Sequence, residues 1–147
     1  KVDPLQIQNP RIALITFSDR PEIQQQTLPS LERFCAEHPG RYDLIVEHEA
    51  LLDPSVFAPA WNKLAFIRRV LLQRMHDIVL WIDDDILITE PTEDPIFEGL
   101  SRSLGRIENF EVYASLDVRV DKRVRFNTGI LGFRQGRSSV NIIQGLF

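Results

Sequence analysis

A single cysteine among 147 residues, Cys35, rules out an internal disulfide. It says nothing of the compartment, because secreted proteins need not carry disulfides. Long apolar runs are also missing: none approaches the roughly 20 residues that cross a bilayer, and no signal-peptide pattern opens the chain. The first residue is Lys1, without an initiator Met, the look of a trimmed chain, so the compartment stays open. There is no excess of positive charge. Seventeen Lys and Arg against 21 Asp and Glu leave a formal charge of −4, with both signs interspersed. That argues against a general nucleic-acid binder, which shows a basic face. Neither G-x-G-x-x-G nor G-x-x-x-x-G-K-[ST] occurs, which argues against the usual dinucleotide and P-loop sites. His38, His48 and His76 all precede the acidic stretch discussed below, none lies in a ligand-like motif, and all three read as surface residues.

What is present is enough chain for one domain, residues 1–147, with an ordinary apolar fraction of 44%. Strand-like and helix-like segments alternate, which predicts an α/β domain with a mostly parallel sheet flanked by helices. "RIALITFSD" (11–19) is a continuous apolar run ending in small polar residues, as in a buried parallel strand that delivers a loop. In the helix that follows, Leu28, Leu31, Phe34 and Cys35 share a face, and Pro29 is expected to kink it or delay its start. "YDLIVEH" (42–48) reads as a second strand. The clearest helix is "AWNKLAFIRRVLLQRM" (60–75), with Trp61, Leu64, Ile67 or Arg68, and Leu71 at helical spacing and Lys63, Arg68, Arg69 and Arg74 on its other face. A third strand, "IVLWI" (78–82), follows. Asp94 and Pro95 then mark a helix start as N-cap and first helical position, with Gly105 as its stop. "EVYASLDV" and "NTGILGFR" read as strands, "RVDKRVRF" between them as a basic loop, and "SSVNIIQGLF" as the start of a helix.

The chemistry concentrates at Asp83, Asp84 and Asp85, directly after "IVLWI" and before "ILI". In open α/β sheets ligands bind outside the carboxyl ends of the strands. If the strand continues through the acids, Asp83 and Asp85 share one side and Asp84 points away. Two hard oxygen donors on one side suit Mn²⁺ or Mg²⁺, which are commonly held by one or two carboxylates together with substrate phosphates and water. The rival reading is an acidic strand end that is solvated or paired with nearby arginines.

"WNKLAFIRRVLLQRMHDIVLWIDDDILI" followed by "FNTGILGFR" resembles the GT-A fold glycosyltransferases, and most of all the family 34 galactosyl- and xylosyltransferases. The ordered set is Trp61, Lys63, Asp83, Asp85, Asn127 and Gly129. The resemblance implies a Mn²⁺-dependent transferase that takes a nucleotide-sugar, most readily a UDP-sugar, and passes a hexose or pentose to a sugar or glycan acceptor with retained configuration. It implies that Asp83 and Asp85 hold the metal and, with Asp84, the donor. By the same likeness Thr16, Phe17 and Ser18 lie where the base and ribose bind, Lys63 lies near the donor, and Asn127 faces the sugar and acceptor.

Simpler readings stand beside these. Lys63 can be a solvated helix residue, Thr16 and Ser18 loop caps, Trp61 a packing residue, Asn127-Thr128-Gly129 a turn before a strand, and Arg119, Lys122, Arg123 and Arg125 a solvated loop. Members of the resembled family continue past the Asn-x-Gly strand and its helix, with acceptor-site groups and a histidine that completes the metal shell. No histidine follows Asp85 here, so the expectation is a fragment, an open site, or one completed by another chain or by phosphates and water. Two other functions are compatible with D-x-D at a strand end: a non-catalytic sugar-nucleotide or metal-binding module, and a haloacid-dehalogenase-like phosphatase. The phosphatase motif, however, sits on the first strand, whereas here the acids follow the third.

Overall fold

The computed structural model describes residues 9–104, 112–118 and 124–147. Its strands are β1 (Ile12–Phe17), β2 (Tyr42–Glu47), β3 (Ile78–Ile82), β4 (Val112–Val118) and β5 (Val124–Arg134). Its helices are α1 (Pro21–Glu37), α2 (Asn62–Gln73), α3 (Pro95–Leu104) and α4 (Arg137–Gln144), with a 3₁₀ turn, Pro59–Trp61, leading into α2. The five strands form one sheet in the order β2-β1-β3-β5-β4. β1 pairs in parallel with β2 and β3, and β5 pairs antiparallel with β3 and β4. Four strands therefore run one way and β5 alone is reversed.

Both faces of the sheet are covered, which is why β3 is apolar at every position, and β1 at all but Thr16, rather than at alternate ones. Ala13, Ile15, Val79, Trp81, Leu131 and Phe133 pack against Phe66, Ile67, Val70 and Leu71 of α2 and Ile143 of α4. On the other face Ile12, Leu14, Ile78, Leu80 and Ile82 meet Leu31 and Phe34 of α1 and Ile96 and Leu100 of α3. Each such large side chain taken fully out of water contributes about 1.5–3 kcal/mol before entropy is counted. Gly132 of β5 is required by closeness: a Cβ there would lie 2.3 Å from Leu80 Cδ2.

Several expectations change. α1 begins at Pro21 and continues through Pro29, which is exposed, so the proline neither delays the helix nor divides it. Its buried side chains are Thr27, Leu31 and Phe34, with Leu28 and Cys35 only partly covered. The buried face of α2 is Asn62, Phe66, Ile67, Val70 and Leu71, and Trp61 lies in the 3₁₀ turn at 38% exposure. The 100° advance per residue puts positions 62, 66, 67, 70 and 71 on one stripe, to which 61 does not belong. Asp94 does cap α3: its Oδ1 accepts the Phe97 amide at 2.9 Å and the Tyr42 hydroxyl at 2.6 Å. Gly105 and residues 119–123 of the basic segment lie outside the described residues. Val124, Arg125 and Phe126 belong to β5 rather than to a loop.

Asn127-Thr128-Gly129 lies within the strand expected of "NTGILGFR", and in place of the rival turn there is an irregularity inside β5. Ala114 of β4 pairs with Leu131, but the next residue, Ser115, pairs with Asn127. Residues 128–130 are thus extra on β5, more than the single residue of a simple bulge, and they lie beside the end of β3, where Ile82 pairs with Ile130.

Candidate functional site

The direction of connection along the sheet changes between β1 and β3: from β1 the chain goes out to β2 on one side, then returns to β3 on the other. Such a switch leaves a crevice at the carboxyl ends of the two strands. A cleft of about 290 Å³ lies there. Phe17, Asp19 and Arg20 line it from the end of β1, Pro59, Ala60 and Lys63 from the start of α2, and Trp81 and the three aspartates from β3 and beyond. Four carboxylates face two cations in this lining. A larger cavity of about 610 Å³ opens between the segment after β2 and α2, among Leu51, Leu52, Leu72 and Phe147. It is mostly apolar, holds no acid, and lies apart from the converging charges.

The three aspartates differ sharply. β3 ends at Ile82, so they occupy a turn, closed by the Ile86 amide donating to Asp83 O at 3.3 Å. Strand alternation therefore does not decide which way they point; the turn does. Asp84 is buried at 8% exposure and satisfied by protein groups. Its carboxylate accepts the Ser18 hydroxyl and the Arg20 guanidinium, and its backbone carbonyl accepts the Thr27 hydroxyl at 2.6 Å. The hydrogen bond to Asp84, then that residue's charge, holds the Arg20 pKa above its usual value. Asp83 is half-buried. Its Oδ1 accepts from Lys63 Nζ at 3.0 Å and from Trp81 Nε1 at 2.5 Å, and its amide donates to Gly129 O at 2.8 Å. Asp85 is exposed, with no hydrogen bond to its carboxylate among the described residues.

The bulge in β5 explains part of this geometry. It sets Thr128 over the strand end, where Lys63 Nζ donates to Thr128 O at 3.1 Å and to Thr128 Oγ1 at 3.3 Å. Lys63 thus joins the first turn of α2, the end of β3 and the bulge, which is not the solvated position of the simpler reading. Phe17 lines the cleft and packs on Phe66, ring centroids 5.4 Å apart. Ser18 serves Asp84 and Arg20, whose amide it accepts at 2.9 Å. Thr16, only 2% exposed, lies beneath the cleft. Asn127 is placed in β5 by backbone pairing next to the bulge; its side chain lies outside the described residues. Arg20 and Thr128 were not singled out by sequence reasoning. Arg20 carried one usable signal, as the first cation after the β1 run.

Among the described residues, no group of three His, Cys, Asp or Glu side chains is clustered as a ligand set. The histidines lie elsewhere. His76 is 8% exposed and bonds Asp43 at 2.8 Å through Nε2, and His38 is partly buried with Nε2 3.0 Å from Pro91 O. Neither is the surface residue expected; only His48 is exposed. The Cys35 thiol is pushed up to about 11, chiefly by burial, so it is no nucleophile at neutral pH.

This topology, with its cleft at the β1–β3 switch, is a Rossmann-like α/β fold of the kind found in glycosyltransferases. The chain is similar to a solved glycosyltransferase involved in the glycosylation of the major capsid of PBCV-1, with a TM-score of 0.73 over 93% of this chain at 16% identity. It spans 65% of the length of that protein. A197 from STIV is a more distant likeness, with a TM-score of 0.51, 11% identity, and coverage of 89% of this chain and 67% of that one. At identities this low the likeness shows the fold alone. No protein-family model matches the chain, and no curated protein matches it.

Proposed function

We propose that this domain is a glycosyltransferase that binds a nucleotide-diphospho-sugar, a UDP-sugar first among them, with Mn²⁺ or Mg²⁺, and transfers a hexose or pentose to a sugar or glycan acceptor. The observation that carries the reading is the cleft itself: the end of β1, the start of α2 and the Asp83–Asp85 turn converge there, with acids in excess of cations. Asp83 and Asp85 supply two hard oxygen donors, which fits an ion that draws the rest of its shell from phosphates and water. When bound, such an ion offsets diphosphate charge and stabilises the departing phosphate oxygen.

The other groups act around that centre. Asp84, tied to Ser18 and Arg20, fixes the turn and so the positions of its two neighbours. Arg20, about half exposed at the cleft wall, keeps donor capacity for an anionic group. Phe17 gives the base an apolar surface at the end of β1. Asn127, beside the bulge, is the residue we assign to the sugar and acceptor side, and retention of configuration is the outcome that the family resemblance implies. The fold and the placement of the acids after β3 do not favour a phosphatase.

Incubation with a panel of nucleotide-sugars and simple sugar acceptors tests the proposal. Sugar release or transfer that needs Mn²⁺ and is lost in Asp83→Asn supports it. Tight nucleotide binding with no turnover identifies a binding module instead, and phosphate release from an aryl phosphate identifies a phosphatase.

A further inference from the structure

Lys63 is placed where an acidic metal site would not ordinarily tolerate a second cation. An ammonium has three N–H donors, and all three have acceptors here: Asp83 Oδ1 at 3.0 Å, Thr128 O at 3.1 Å and Thr128 Oγ1 at 3.3 Å. The side chain is well covered, at 14% exposure, and its partner carboxylate is 34% exposed. The ammonium also lies 5.7 Å from the centre of the Trp81 ring, whose Nε1 donates to the same Asp83 oxygen. That oxygen therefore already receives two N–H donors. Arg20 does not share this role, because the carboxylate it meets is that of Asp84 and not that of Asp83.

We propose that Lys63 is a built-in cation of the cleft that opposes divalent-ion binding at Asp83 and couples metal to diphosphate. The inference rests on the reading that Asp83 holds the metal. An ion approaching Asp83 must either displace the ammonium from Oδ1 or sit across the same carboxylate from it, and both routes cost affinity. A diphosphate relieves the conflict, since its oxygens accept from Lys63 while also binding the metal. Metal and diphosphate then strengthen each other, and by linkage each does so by the same factor. Metal alone stays weak, so the cleft fills mainly when both are present.

The test measures Mn²⁺ binding to the intact chain by electron paramagnetic resonance, alone and with UDP, after correction for Mn²⁺–UDP formed in solution. Lys63→Met and Asp83→Asn are compared with the parent. In Lys63→Met, Mn²⁺ alone should bind roughly tenfold more tightly, the scale of a partly buried charged hydrogen bond, and the strengthening by UDP should shrink. Asp83→Asn should lose most Mn²⁺ affinity. If Asp83→Asn loses the metal but Lys63→Met binds Mn²⁺ no better than the parent, the proposal is overturned while the metal reading stands. If Asp83→Asn binds Mn²⁺ like the parent, the metal reading fails and takes the proposal with it. Should Lys63→Met not fold, the ammonium ¹⁵N resonance of Lys63 in the parent decides. It should move or broaden on adding Mg²⁺ with UDP, and an unchanged signal at saturation overturns the proposal.

Discussion

The two ends of the central strands carry the same kinds of side chain and use them differently. At the amino end, Asp43 accepts from Arg11 Nε at 2.7 Å and bonds His76 Nε2 at 2.8 Å, while the Arg11 amide donates to Asp77 at 2.9 Å. There each acid has its partners. At the carboxyl end, Asp84 is equally satisfied, but Asp83 shares one lysine with the β5 bulge, and Asp85 has no hydrogen-bond partner among the described residues. A cleft is left beside these acids. Paired charges of the first kind hold a sheet edge together. Unbalanced charges facing a cleft leave binding capacity for something brought from outside. Acid content alone does not mark the candidate site; the balance of charge and the open space do.

Removing one acid at each end should give the largest difference between them. Asp83→Asn or Asp85→Asn should weaken Mn²⁺-dependent UDP binding roughly 100-fold, the upper range for disturbing a metal's surroundings, whereas Asp43→Asn should leave it unchanged. Calorimetric titration of the three variants measures this. Equal losses at all three would erase the distinction between the ends.

A smaller effect separates Asp84 from its neighbours. Asp84→Asn should cost about 2 kcal/mol of stability, because buried partners lose a charged acceptor. UDP affinity should fall less than in Asp83→Asn. Urea melts beside titrations give both quantities. A variant as stable as the parent that no longer binds UDP would show Asp84 to be a ligand residue rather than a support for the turn.

Acid pH should act on the amino end next. Burial raises the Asp43 pKa, but hydrogen bonds from His76 and Arg11 outweigh it, and the net shift is downward. A depressed carboxylate stabilises the fold above its unfolded value near 4 and loses that contribution as pH falls through its lower folded value. Asp43 is 41% exposed, so the share is on the order of 0.5 kcal/mol after solvent screening. Stability curves of the parent and Asp43→Asn should differ above pH 4 and converge below it. A difference that persists at pH 2 would contradict this assignment.

The smallest expected change sharpens the description of the carboxyl end. Trp81→Phe keeps the ring against Phe66 but removes the Nε1 donor to Asp83. Stability should drop by about 1 kcal/mol, and Mn²⁺ affinity should rise slightly as that oxygen loses a competing donor. Thermal melts and Mn²⁺ titration read the two effects together.

Much of the frame was legible in the residues. The unbroken apolar run of "IVLWI" dictates a strand covered on both faces. Asp94-Pro95 dictates a helix start, because a carboxylate can accept the free amides there and proline gives up no bond. The placing of the acids after a buried strand located the cleft's floor, and "WNK" marked the helix that walls it. These features depend on neighbours within a few residues.

What only the tertiary structure decided depends on partners far along the chain. Reversal of β5 and its extra residues at 128–130 bring Thr128 to Lys63, 65 positions away, and no local pattern distinguishes such a bulge from a turn. The same holds for the aspartates. Strand alternation treats Asp83 and Asp85 as alike, yet the strand stops at Ile82, and the turn buries Asp84 on Ser18 and Arg20 from the loop after β1. His76 read as a surface residue because its partner, Asp43, is 33 positions away. Local sequence sets dihedral preference and the period of apolar burial. Which charge meets which is settled only when the sheet closes, because an ion pair is selected by distance in space and by the water excluded around it.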